Sequence, residues 1–261
     1  MGPGFKSQEY LIPGYPTNKS SVMLDSDYNG RQVREIEFSN DFKIGGFQAN
    51  DFLGDGSFYI LNVPGHTVGH ISGLARTTPD SFVFMGGDVC HFGGMFRPTK
   101  YVPMPSDIPA DIPLVSARFR FPCPCSTFTA CHPLKGQGEE TARTTPYYKV
   151  SCAEGTWYVD PDTAQESIGK LEEFDADPAV FVCVAHDIGL LNVVDWFPIG
   201  TLNDWKSKGW KEQSRFGFLG TLPVDWKPAG ENFCSGLTKD GNVVKEWSKF
   251  VLKEKDKGIV I

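Results

Sequence analysis

The residues best placed to do chemistry are His66, His70, Asp88 and His186. The first three lie in one stretch, SFYILNVPGHTVGHISGLARTTPDSFVFMGGD, from Ser57 to Asp88. An apolar run (Phe58, Tyr59, Ile60, Leu61, Val63) stops at Pro64-Gly65, and His66 and His70 follow. A second pass (Ile71, Leu74, Ala75) and a third (Phe82, Val83, Phe84, Met85) end at Gly86-Gly87-Asp88. His186-Asp187 closes a further run, Val180 to Ala185. Short β-type runs broken by glycine, with His or Asp just past the end, place metal-ligand side chains at strand ends. A sheet gathers such ends on one edge, so His66, Asp88 and His186 can converge although far apart in sequence. A zinc ion there would bring the pKa of bound water toward neutrality, making hydroxide the nucleophile, and would polarise a scissile carbonyl. That is hydrolysis of an ester, lactone, thioester or amide. The plain alternative is a pair of surface loops in an ordinary sheet, with His66 and Asp88 as polar caps. His91, in Asp88-Val89-Cys90-His91, is either within reach of substrate or metal or a partly exposed loop histidine.

PGHTVGH followed by GGD resembles the third and fourth metal motifs of the metallo-β-lactamase superfamily. The longer string GHISGLARTT…FVFMGGDVCHFGGMFRP is similar to its fungal members. The resemblance runs from about Gly2 to Gly220 and implies an α/β (α+β) fold: a partial αββα sandwich with mixed or antiparallel sheets. It implies His66, Asp88 and His186 as metal ligands and catalytic residues, with Asp88 bridging two zinc ions. His70 and His91 would support the ligands by hydrogen bonding. The family's principal motif, HxHxDH, is absent from this sequence, and no histidine precedes His66. In the family that motif lies upstream of the segment that MGPGFKSQEY resembles. With His66 on one metal, His186 on the other and Asp88 on both, each zinc keeps two protein ligands where three are usual. The resemblance therefore implies that this chain corresponds to the C-terminal half to two-thirds of the fold and holds fewer than two zinc ions, or none, alone. Two functional classes follow: a zinc-dependent hydrolase of small molecules, incomplete as it stands, or a catalytically inactive remnant that is a binding module or without function. Strands missing from the first sheet would expose an edge and an apolar face, which favours self-association.

The elements that must position these residues read as follows. Residues 1–30 are rich in Gly, Pro, Asn and Ser and suggest loop. Gly14 to Ser20 ends like a phosphate loop but lacks the glycine before its lysine and carries a proline. Arg34 to Phe38 alternates polar and apolar, which predicts a half-buried strand, and Ile44 to Phe52 holds another. Gly54-Asp55-Gly56 is a hairpin turn. From Cys90 to about Thr163 periodicity is lost and proline is dense, which predicts a long loop insertion (90–163) in a single domain of residues 1–261. Its C-x-C-x5-C-H cluster (Cys123, Cys125, Cys131, His132) departs from the usual structural zinc spacings. Thr163 caps a helix with Glu166 three residues on and Ile168, Leu171 and Phe174 at helical spacing; Asp177-Pro178 ends it. Val180 to Ala185 reads as a fully buried strand. Trp205, Trp210, Phe216, Phe218 and Trp226 read as core, and Lys245 to Lys257 as an amphipathic terminal helix.

The chain has 261 residues, 40% hydrophobic and 22% charged, enough for a real core. A formal net charge of −7 argues against a nucleic-acid or anionic-membrane partner. No apolar stretch reaches the roughly 18 residues of a membrane span, and MGPGFKSQEY lacks the features of a secretory signal. Lys6 stands where a myristoylation pattern requires Ser or Thr. Seven cysteines, an odd count, read as reduced thiols, and the expected location is cytoplasmic.

Overall fold

The structure, a computed structural model, describes residues 1–8, 11–154 and 156–224 and the backbone of short strands at 237–239 and 242–245. Five strands form an antiparallel meander. β1 (Lys43–Ile44) and β2 (Phe47–Asp51) turn at Gly45-Gly46, where φ of 55° and 79° demands residues without a Cβ penalty. β3 (Phe58–Asn62) follows a turn braced by Asp51, whose carboxylate accepts from the Gly54 and Gly56 N–H groups. β4 (Ile71–Thr78) and β5 (Ser81–Met85) complete the meander.

Between β5 and the last strand of this sheet come β6 (Asp107–Ile108), α1 (Pro113–Ser116), β7 (Cys123–Pro124), α2 (Ser126–Thr129), α3 (Glu139–Thr144) and α4 (Pro161–Ala176). β8 (Val180–Cys183) then adds parallel to β5, giving a mixed sheet in the order β1-β2-β3-β4-β5-β8. α5 (Trp210–Arg215) and a hairpin of β9 (Leu237–Lys239) and β10 (Asn242–Lys245) follow. Mixed sheet and packed helix give the α/β arrangement that the sequence implies.

α4 covers one face of the sheet. Ile168, Leu171 and Phe174 are buried against Phe47, Leu61, Phe84 and Val182, and the Phe174 ring lies 4.8 Å from that of Phe84. Each such side chain stabilises the fold by about 1.5–3 kcal/mol when fully buried. Val83 and Phe181, which point the other way, pack with Leu190, Val194, Trp205 and Trp210; Phe181 stacks on Trp205 at 5.4 Å. The proline-dense stretch builds a third core, from Met104, Ile112, Val115 and Phe128, closed by Phe218 and Leu219. The Trp205, Trp210, Phe216 and Phe218 rings are all buried, as core aromatics.

Three expectations change. Arg34 to Phe38 joins no strand, because its backbone is satisfied elsewhere: the Met1 ammonium donates to Arg34 O and the Ile36 N–H to Met1 O. Ile36 is still buried. The α4 cap is Asp160, whose side chain accepts from the Thr163 N–H at 3.0 Å, with Pro161 at the first helical position. Sequence 90–163 is folded into short helices and turns, whose length is too small to show periodicity. Trp226 and the helix expected after Lys245 lie outside the described residues, and the backbone of Asn242–Lys245 is strand. Among the described residues no helix is long and apolar enough to cross a membrane.

Candidate metal centre

The site forms where β3, β5 and β8 end. The loop after β3 is fixed by α4. Gly65, at φ 122°, packs so closely that a Cβ there would lie 2.3 Å from Ala164 N. Asp160 N–H donates to Gly65 O and Val159 N–H to His66 O, both at 2.9 Å, and Ser167 Oγ donates to Pro64 O at 2.7 Å. The loop after β5 is clipped to the loop after β8. Gly86 N–H donates to Cys183 O and Ala185 N–H to Gly87 O, both at 2.8 Å. These bonds continue the parallel register, Met85 opposite Cys183. Asp88 and His186 are thereby set side by side although they stand 98 positions apart in the sequence.

Three imidazoles surround the Asp88 carboxylate. His66 Nε2 is 3.8 Å from Oδ2, and His91 Nε2 and His186 Nε2 are 3.6 and 3.3 Å from Oδ1. His66, Asp88 and His91 bring ligand atoms within 4.8 Å of one another, the one such set of three among the described residues. His186 reaches Asp88 from the open side, with 59% of its side chain exposed. Its backbone is left-handed, φ 65°, the one non-glycine residue with positive φ among those described.

His70 lies apart from this set. Its Nδ1 is 2.9 Å from Val63 O and its Nε2 accepts from the Asp88 N–H at 3.1 Å. The two bonds assign the Nδ1–H tautomer and leave no free lone pair for a metal. The other ring that sequence singles out, His132, is likewise spent. It accepts from Leu134 N–H at Nδ1 and donates from Nε2 to Thr145 O. The Cys125 thiol meets Glu139, and that of Cys131, just past α2, meets the Phe128 carbonyl. The cysteine cluster is therefore ordinary packing. Cys90 is fully buried and its thiol is pushed up to about 12 by that burial, which leaves it protonated and inert.

An aromatic wall, which lay in the stretch without periodicity and left no signal in the sequence, closes the inner side. The Tyr158 ring stands 5.5 Å from His66 and 5.1 Å from His91. Trp157 stands 5.7 Å from His91 and is 75% exposed. Burial lowers the pKa of His66 and of His91 below the ordinary imidazole value; for His66 the nearby His91 charge adds to it. Both rings are thus neutral near pH 7, the state in which a lone pair can bind metal.

The residues fit a metal ion. Asp88 Oδ1 is buried and has no hydrogen-bond partner among the described residues, an arrangement that costs stability unless a ligand satisfies it. Two donors each about 2.1 Å from a tetrahedral ion stand about 3.4 Å apart, and the observed Asp88–His separations are 3.3, 3.6 and 3.8 Å. Mixed imidazole and carboxylate donors suit a first-row divalent ion.

Known proteins bear on this geometry. The gamma-lactamase FDB1 of Fusarium pseudograminearum is 43% identical over 237 residues, 89% of this chain and 54% of that protein. The metallo-hydrolase mfmC of Annulohypoxylon moriforme is 38% identical over 231 residues, 88% of this chain and 55% of its own length. The gamma-lactamase MBL2 of Gibberella moniliformis is 43% identical over 175 residues, 66% of this chain and 68% of that protein. The chain thus spans about half the length of the first two and about two thirds of the third. No family model matches, and no solved structure does. Identity at this level over most of the chain, together with the strand-end His and Asp cluster, places the chain in the metallo-β-lactamase superfamily, among its fungal relatives.

Proposed function

We propose that the cluster is the zinc centre of a hydrolase that opens cyclic or activated carbonyl compounds, lactams and lactones above all. The observation that carries this reading is the buried Asp88 Oδ1, which accepts no hydrogen bond among the described residues and is ringed by imidazole nitrogens. The relatives' names, gamma-lactamase and metallo-hydrolase, support the substrate class and the metal. A zinc ion bound there would polarise the scissile carbonyl and acidify water for attack on it.

The chain's own residues do the rest. His66 and His91 offer neutral lone pairs from a half-buried position, so no proton must leave before a metal enters. Asp88 brings the negative charge and is held by its main chain, because the bond from its N–H to His70 fixes the turn that carries it. His186 completes the ring from the solvent side, where substrate must arrive. Tyr158 keeps water off the inner faces of His66 and His91, and Trp157 gives an exposed apolar wall for the non-reacting part of a substrate.

The test uses the whole chain. Zinc is measured after dialysis, and hydrolysis of a γ-lactam and a γ-lactone is followed with and without added zinc. Retained zinc and turnover, both lost in Asp88→Ala, are the expected result. A dialysed protein without zinc that also gains none on titration would overturn the reading. Zinc bound without turnover would leave a metal-binding module in place of an enzyme.

A further inference from the structure

Arg97 is buried, with 2% of its side chain exposed, and holds two aspartates at once. Its Nε and Nη2 donate to the two oxygens of Asp175 at 3.1 and 2.7 Å, a bidentate pair on the last turn of α4. Its Nη1 donates to Asp187 Oδ2 at 3.4 Å and to Arg215 O at 3.1 Å. Asp187 in turn accepts the Gly189 N–H on its other oxygen at 2.9 Å, so both carboxylate oxygens are committed. Asp187 follows His186, whose left-handed backbone is one that side chains seldom adopt. Such a conformation persists only where the surroundings over-determine it. On one side of His186 the Ala185 N–H is tied to Gly87 O; on the other the bonds of Asp187 are the constraint. A buried guanidinium with two carboxylates is an expensive way merely to join three segments, since apolar side chains of the same volume would serve as well.

We infer that Arg97 and Asp187 are positioning residues for His186: the buried ion pair holds the turn that aims the exposed imidazole at Asp88. This rests on the reading of the cluster as a metal centre. Arg97 belongs to the same segment as Asp88 and His91, a few residues on, so one stretch of chain supplies ligands and also fixes the ligand of the neighbouring loop.

The test is imidazole-detected NMR of the full chain, whose five histidines give a sparse spectrum, with zinc titrated into the same samples. In Asp187→Asn the His186 ring signals are expected to shift and broaden while those of His132 and His70 stay in place. Zinc affinity is expected to fall about tenfold or more, the range for partners that orient a ligand. Asp175→Asn is the comparison, with destabilisation but a smaller change at His186. Arg97→Lys, which keeps the charge but loses the two-sided fork, is the second variant should Asp187→Asn not fold, and the same selective change is expected. An unmoved His186 signal in a folded variant, equal changes in Asp187→Asn and Asp175→Asn, or unfolding of both Asp187→Asn and Arg97→Lys would overturn the inference. If the wild-type chain takes up no zinc while His186 still responds selectively, the metal reading fails and the positioning role stands.

Discussion

His70 acts by hydrogen bonding, joining the loop after β3 to the turn that carries Asp88. His70→Ala removes a partner from two backbone groups and is expected to cost about 2 kcal/mol, within the range for polar groups left unsatisfied; urea unfolding measures it. His132 provides a pH test away from the cluster. Burial holds its folded pKa below the ordinary value of 6.5. The unfolded chain therefore takes up the proton first, so the contribution to stability is complete above about pH 6.5 and is lost as pH falls toward the folded value. The fall in urea midpoint between pH 7.5 and 5.5 is expected to be smaller in His132→Gln than in wild type. Trp157 is a built-in reporter, 5.7 Å from His91 and exposed. Cobalt, added in place of zinc, is expected to quench tryptophan emission less in Trp157→Phe than in wild type.

At the scale of elements, the contact of α4 with the Pro64-Gly65 turn sets the cluster. Gly65→Ala adds a Cβ that meets the α4 backbone, at a φ that side chains avoid. A drop in melting temperature together with loss of zinc retention is expected, because the turn moves with His66. Asp160→Ala removes the α4 cap alone and is expected to cost about 1 kcal/mol, read by chemical denaturation. These elements differ in how plainly the sequence announces them. Strand ends carrying His66, Asp88 and His186 were legible, because apolar runs stopped by glycine place polar side chains at sheet edges. α4 was legible from Ile168, Leu171 and Phe174, although Asp160, not Thr163, caps it. The sequence leaves His91 as either ligand or loop residue, and only the three-dimensional turn brings it to 3.6 Å from Asp88. Tyr158, Trp157 and Arg97 gave no signal, since their partners lie across segments with no common period.

Across the whole molecule, charged side chains join cores that apolar contacts leave separate. Lys211, 2% exposed, donates to Asp177 O and Val180 O and so ties α5 to the start of β8. Burial brings its pKa down to about 8 from 10.5. The unfolded chain keeps this proton to higher pH, so wild type gains stability as pH rises from about 8 toward 10.5. Lys211→Met has no such group, and urea unfolding at pH 7.5 and pH 10 is expected to show the wild type improving relative to the variant.

The parallel pairing of β5 with β8 also has a kinetic meaning. The meander from β1 to β5 closes through neighbouring hairpins, whereas Phe82 meets Val180 only after the long intervening stretch is made. Contacts of such sequence separation form slowly, because loop closure must precede them. In a growing chain His66, Asp88 and His91 are therefore expected to come together before His186, which reaches them only once β8 has docked.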